Sequence, residues 1–577
     1  MFRKITAVIL VMSVILTTSC NSKPFSLYDT PTKFSDPFST ELKEMSFIDL
    51  QTTRIDVEGV INSINQMKEL SEKGGSIEEL KKLYKELYTS INLLNANYSV
   101  SGLLYDIDTQ NEELSKAALE HESVYNRVYT LFDDAMKTVL SSKYADEMKK
   151  FIGEDVANIY DSEKIDIELI AELSNKESEL INNYMKLIAT PVTVTVDGEE
   201  WDINKLYEKM DSFSSDEYLN IYLEIDKAFN KKAIEIFIPL VEVRKQIAKE
   251  YGFDNTAEYF YKKSFNRDYT PQEAKIFHNN VKEHIVPVFN SLPKTSHDAV
   301  VKSEDVLPGI AEVLPLISAE MSEIFNEMTE RNLCILKDDM TKSYDGGYTT
   351  GIATYSHPLI YNAIYGNYRS ITDTVHEFGH YCDYYLNGIY TPGYKNICYD
   401  IAEVPSMGLE AIFYNYYDKI IENCNDEKAH LIKYFLESVI SGCYMDEAQQ
   451  KIYNYEGELT TDIVNDIFEK TAKEYGMTSD FERYIWAYIT HNFVTPFYYI
   501  SYAASSIAAL EIWEISQSAG IEKATETYLK ILSDGSFEYG YAESLKKNGL
   551  KGFTDSDNLK VIAQSAKNTI DKLMAEK

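Results

Sequence analysis

The chain has 577 residues, 44% of them hydrophobic and 13% aromatic, with only 14 Pro and 24 Gly. That composition excludes a disordered or low-complexity protein and is long enough for a large core and more than one domain. Ninety-two acidic against 56 basic residues give a formal charge of -36, a field that repels nucleic acid and anionic membrane surfaces, so neither is expected as a partner.

The N-terminus MFRKITAVILVMSVILTTSC has basic residues at Arg3 and Lys4, an apolar run from Ile5 to Leu16, and small residues before Cys20. This is the layout of an export signal, too short to be a stable membrane span. Its end resembles a bacterial lipoprotein box, in which Cys20 would be lipidated and become the new N-terminus. Thr17 stands where such boxes usually carry a large aliphatic residue, and an ordinary secretory signal with an incidental Cys20 is the alternative. Residues 1–19 are thus expected to form a signal and 20–44, polar and punctuated by proline, a flexible tether. The protein is expected to be exported, at the cell surface or membrane-anchored in a bacterium, touching the membrane only through a lipid. The other five cysteines have no CxxC spacing and suggest neither a zinc knuckle nor a disulfide scaffold.

From about residue 45 the pattern is helical. In SIEELKKLYKELYTSINLLNANY, Ser76 is a candidate cap and the apolar residues 80, 83, 84, 87 and 91 share a helical period. ATPVTVTVDGEEW interrupts this with alternation and an Asp197-Gly198 turn, a predicted hairpin near the end of an N-terminal helical lobe over 45–200. The remainder, 201–577, is expected to be the catalytic region. Helices resume through residues 216–252, with Gly252 as terminator. A second non-helical island, SYDGGYTTGIATYSHPLIYNAIYG, precedes the segment that carries the chemistry.

That segment is ITDTVHEFGHYCDYY, residues 371–385. On a helix, Ile371, Val375, Phe378, Cys382 and Tyr385 form one apolar stripe, with His376 and His380 on the opposite face. Such histidines can simply face solvent. They can also reach one tetrahedral ion from a single helix, with Glu377 beside its open position. Asp373 and Asp383 fall near the same face, where a carboxylate could orient a ligating imidazole. Gly379 costs about 1 kcal/mol relative to alanine inside a helix, so something is expected to approach the backbone there.

Catalytic zinc usually takes three protein ligands, and CYDIAEVPSMGLEAIFYNYY offers Glu403 and Glu410, seven apart on one helix face. Spacing leaves two readings of Glu403. One makes it a ligand; the other makes it the fourth residue of a capping box begun by Asp400, with no metal needed.

HEFGH followed by AEVPSMGLE resembles the thimet and oligoendopeptidase F family of zinc oligopeptidases. The resemblance implies one zinc ion held by His376, His380 and Glu403, with Glu377 as general base and Glu410 as a supporting carboxylate. YITHNFVTPFYYISYAASSIAALEIW, residues 488–513, is similar to the family's substrate and oxyanion segment and implies those roles for His491, Tyr498 and Tyr502, with Tyr499 as a competing assignment. GGYTTGIATYSHPLIYN is similar to the family's substrate-side strand, which implies that Tyr348 and Tyr355 lie along bound peptide. Departures are Cys382, Asp383 and Tyr384, where many members carry a further histidine, and Ser505 in place of a common glycine.

The implied fold is mostly α, two helical lobes around a deep substrate channel with a small β element beside the zinc helix. The implied activity is hydrolysis of internal bonds in short peptides by metal-activated water; no protein partner is inferred. Two alternatives are a peptide-binding surface lipoprotein with an inactive or structural metal site, and a zinc carboxypeptidase.

Overall fold

The computed structural model describes residues 55–153, 157, 167–296, 298–352, 357–387, 398–535 and 539–576. The export signal, Cys20, the tether and Tyr355 lie outside the described residues. The chain is mostly helical; the described residues form two small sheets, and among them no helix is long and apolar enough to cross a membrane.

Three long helices, Val57–Lys73, Ile77–Ile107 and Glu112–Leu140, come first among the described residues. Asp56, Ser76 and Asn111 cap them by accepting from backbone N–H groups of their first turns, which otherwise lack partners. Leu80, Leu83, Tyr84, Leu87 and Ile91 of the second helix are buried in an apolar cluster drawn from residues 60–157. The second helix also reaches the main core through Val100, Leu103 and Leu104.

The expected hairpin is present. β1 (Val194–Val196) pairs antiparallel with β2 (Glu199–Trp201), and both turn residues, Asp197 and Gly198, have positive φ, 52° and 82°, as a two-residue turn with matching twist requires. Helix Ser215–Glu250 follows with a complete capping box between Ser214 and Glu217 and ends before Gly252 at φ 80°. Its buried Arg244 bonds Glu177 at 2.6 Å and the carbonyl of Phe493, joining two halves of the chain.

The second island forms a three-stranded sheet in the order β3-β5-β4. β3 (Cys334–Lys337) runs parallel to β5 (Leu359–Ala363), and β4 (Gly347–Thr350) pairs antiparallel to β5 at the edge. β3 was not expected: four residues are too few to show a period of two. Tyr348 opposes Tyr361 in register, and their stacked rings, 5.4 Å apart, face the N-terminal helices. The other face of the sheet meets helix Arg369–Asn387, where Asn362 Nδ2 donates to Thr374 at 2.9 Å.

Candidate metal centre

Helix Arg369–Asn387 carries HEFGH with the expected stripe inward: Ile371, Val375, Phe378 and Cys382 are buried. His376 and His380 stand half-buried on the other side, their ring centroids 5.0 Å apart. Glu403 is no capping-box residue. The short helix Tyr399–Ala402 begins after Cys398, and Glu403 sits at its junction with helix Val404–Phe413. From there Glu403 Oε2 lies 3.3 Å from His376 Nε2 and 3.2 Å from His380 Nε2. Glu410, two turns further on, accepts at 2.7 Å from His376 Nδ1, which orients the ring with Nε2 toward Glu403.

The charges agree with the geometry. Burial opposes ionisation of all three groups. Even so, Glu403 and Glu410 hold His376 well above its ordinary pKa, and the two imidazoles hold Glu403 well below. Glu410 is pushed up by burial. Two carboxylates around one imidazole create a place where positive charge is favoured. A small cation fits: the three donor atoms lie within 4.8 Å of one another, and two imidazoles plus one carboxylate with a fourth position open suit zinc.

The frame behind the donors is built to hold them. A Cβ on Gly379 would lie 2.5 Å from the carbonyl oxygen of Pro405 and 2.6 Å from Ser406 Cα, so glycine at this position lets the two backbones touch. Asp400 is fully buried against Arg267, whose Nε donates at 3.1 and 2.9 Å and whose Nη2 reaches Ser501 Oγ and the carbonyl of Phe497, both at 2.9 Å. Ser501 also donates to Asp400, and Ser505 donates to its carbonyl at 2.6 Å. One guanidinium thus ties the Glu403 segment to the tyrosine helix, Tyr499–Ser518.

That helix and the short helix His491–Val494 bring His491 to the site. Phe497, between them, has φ 65°, a costly left-handed conformation for a bulky residue; its N–H donates to Gln449 and its carbonyl accepts from Arg267. The turn lays Tyr498 over His491 with centroids 5.2 Å apart, and places Tyr499 and Tyr502 edge-on at 5.0 and 6.1 Å. Burial drives His491 down to about 4, so its ring is neutral near pH 7, and Nδ1 is buried with no hydrogen-bond partner among the described residues. Tyr498 and Tyr502 are raised by burial and also by the charge of Glu403. Tyr499 is raised by burial alone, to about 12. Two of the three candidate tyrosines therefore face the metal donors electrostatically.

Residues 327–552 match peptidase family M3, and residues 47–164 match the peptidase M3 N-terminal domain. The chain belongs to peptidase family M3. M3 enzymes are zinc metallopeptidases, and this M3 peptidase offers the donor set such an enzyme needs. A comparison with curated proteins finds no match. Among solved structures, a protein assigned as oligoendopeptidase F is 22% identical, with TM-score 0.71 over 91% of this chain and 99% of its own. PZ peptidase A, solved with an inhibitor, is 22% identical, with TM-score 0.70 over 91% and 99%. A protein from Bacillus anthracis str. Ames assigned as oligoendopeptidase F is 20% identical, with TM-score 0.69 over 92% and 99%. These likenesses show that the M3 peptidase shares their fold.

Two further residues of the M3 peptidase stand apart from the donors. Asp373 gives its carboxylate to Arg369 at 3.0 Å and Thr372 at 3.4 Å; Glu410 is the carboxylate that bonds an imidazole. Tyr348 donates its hydroxyl to Asp106 at 2.6 Å, on the face of β4 away from Glu377. Sequence reasoning did not single out Thr349 or Arg267, and it read Asp400 only as a possible helix cap. Thr349 Oγ1 lies 2.8 Å from Glu377 Oε2, and only alternation along GGYTTG, which sets Thr349 opposite in facing to Tyr348, hinted at it. Nothing local marked Asp400 as the partner of Arg267, 133 positions away in the chain.

Proposed function

We propose that this M3 peptidase is a zinc-dependent endopeptidase of short peptides, with His376, His380 and Glu403 as ligands and Glu377 as general base. The observation that carries the reading is the convergence of two imidazole Nε2 atoms on one oxygen of Glu403, with Glu410 fixed behind His376.

Zinc held there would supply a Lewis acid for the scissile carbonyl and a water acidic enough to react near neutral pH. Glu377 removes a proton from the attacking water and delivers it to the leaving amine. Burial raises its pKa, toward the range a base needs if it is also to give the proton back. His491 and Tyr502 donate hydrogen bonds to the carbonyl oxygen as charge builds there; donors of this kind contribute about 3 kcal/mol each. Because His491 is uncharged, it adds no repulsion toward the metal. β4 is an edge strand of the described sheet, and an extended peptide adding to it would be held by backbone bonds with little sequence preference. Two helical lobes around a channel would admit short flexible chains and exclude folded proteins.

The export-type N-terminus supports a location at the bacterial surface, with Cys20 as the lipid attachment point. Cys20→Ser should move the protein from the membrane pellet to the soluble fraction and abolish its labelling by a palmitate analogue; retention in the pellet would sink the anchor.

The test of the activity is hydrolysis of internally quenched peptides by the zinc-loaded protein beside Glu377→Gln, with metal content of both. Glu377→Gln should retain about one zinc per chain and lose activity by about 10³-fold or more, with the parent giving internal fragments. Release of single C-terminal residues would make it a carboxypeptidase. Zinc in both proteins with turnover in neither would favour a peptide-binding lipoprotein.

A further inference from the structure

The inner face of β4 closes over Glu377. Thr349 Oγ1 lies 2.8 Å from Glu377 Oε2 and 2.8 Å from the backbone oxygen of the same residue. Its single proton is better spent on the carboxylate, since a charged acceptor makes the stronger bond. Two residues earlier, on the same face, a Cβ on Gly347 would lie 2.5 Å from Asn362 Oδ1 and 3.4 Å from Glu377 Oε1. Glycine leaves the room that the Asn362 amide oxygen takes up, and a Cβ there would stand in ordinary van der Waals contact with the second carboxylate oxygen. The strand thus offers the carboxylate one hydroxyl.

The outer face of the same strand is held from the N-terminal helices. Tyr348, between those two residues, donates to Asp106 Oδ2 at 2.6 Å. The backbone oxygen of Asp106 accepts from Tyr344 N–H at 2.8 Å and from the Tyr361 hydroxyl at 2.9 Å. Thr109 N–H adds a bond to the carbonyl of Lys342 at 2.6 Å. Successive side chains alternate faces, so a slip of one residue would put Tyr348 or Thr350 over the carboxylate in place of Thr349. Asp106 is fixed to the residue whose position excludes that slip.

We propose that Thr349 is the positioning residue of Glu377, and that Asp106 keeps it there by pinning the register of β4 through Tyr348. The proposal rests on the reading of Glu377 as general base. The hydroxyl anchors one carboxylate oxygen and leaves the other to carry the proton from water to amine.

The test uses the full-length, zinc-loaded protein. Thr349→Val, which keeps the shape and removes the hydroxyl, should lower kcat about 10- to 100-fold, a share of what a positioned base contributes, with KM within about twofold of the parent and zinc still near one per chain. Thr349→Ser should recover kcat to within about threefold of the parent, because it restores the donor. Asp106→Asn should lower kcat about tenfold, and combined with Thr349→Val it should cost little more than Thr349→Val alone, the non-additivity expected of residues acting through one contact. Crystal structures supply a readout independent of turnover: the Glu377 carboxylate should leave the strand in Thr349→Val and stay in Thr349→Ser. A carboxylate unmoved in Thr349→Val, a serine variant no better than valine, or loss of zinc in step with activity would overturn the proposal. A parent protein that cleaves no peptide would instead overturn the endopeptidase reading, and the crystal structures would still decide the position of Glu377.

Discussion

The site has two halves that solve opposite problems. Around His376, His380, Glu403 and Glu410 every group is ionisable, and each shifted charge is answered by a neighbour a hydrogen bond away. Around His491, Tyr498, Tyr499 and Tyr502 the groups are aromatic, and burial keeps them neutral. On the proposed function, the first half would hold a cation. The second would donate hydrogen bonds without competing for it, so its donors would act only when a carbonyl oxygen acquires charge. What each half contributes should therefore separate cleanly under mutation.

The largest expected effect breaks the charged half. His380→Ala should lose zinc and lower kcat/KM by about 10⁴-fold or more, since two donors cannot hold a catalytic ion; dialysis followed by metal analysis checks the cause. Next come the neutral donors. Tyr502→Phe and His491→Gln should each lower kcat about 10²- to 10³-fold with zinc content unchanged, which steady-state kinetics on one quenched peptide will resolve; a change in KM alone would place them in substrate binding. A smaller effect lies behind the ligands. Glu410→Gln keeps a hydrogen-bond acceptor but removes a charge, and should weaken zinc affinity about 10- to 100-fold in competition with a chelating dye.

The smallest is a pH effect on stability confined to the neutral half. The folded pKa of His491, pushed down to about 4 by burial, lies below the unfolded value of roughly 6.5. The unfolded chain therefore takes the proton first, and stability is lost as pH falls between those values. Relative to His491→Gln, the metal-free parent should lose about 1–2 kcal/mol between pH 7 and pH 5 in urea titrations; parallel curves would show that His491 is hydrated and ordinary.

The legibility of the molecule follows the distance over which its contacts act. HEFGH declared itself because both histidines and the glutamate lie within five positions of one helix, and the Asp197-Gly198 hairpin because a two-residue turn carries its own chemistry. Glu403 was readable only as one of two alternatives. The choice depends on Asp400, which a capping box would turn to solvent and which the fold instead buries on Arg267. Tyr348 shows the same limit from another side: alternation reveals that Tyr348 and Thr349 face opposite ways, but not that Asp106 waits on one side and Glu377 on the other. β3 was too short for any period to appear.

The buried Arg267–Asp400 pair has a consequence for the order in which the protein assembles. His376 and His380 share a helix and are in place as soon as it forms, and Glu410 is 34 positions from its imidazole. Glu403 is carried by a segment anchored to residues 133 positions before and 101 after Asp400, contacts that form only when most of the chain has collapsed. A metal ion meeting the nascent chain would find two imidazoles and no third donor held in register. Zinc held by this site would then arrive late and stabilise a finished fold by mass action, the reverse of a zinc finger, whose fold waits for its metal.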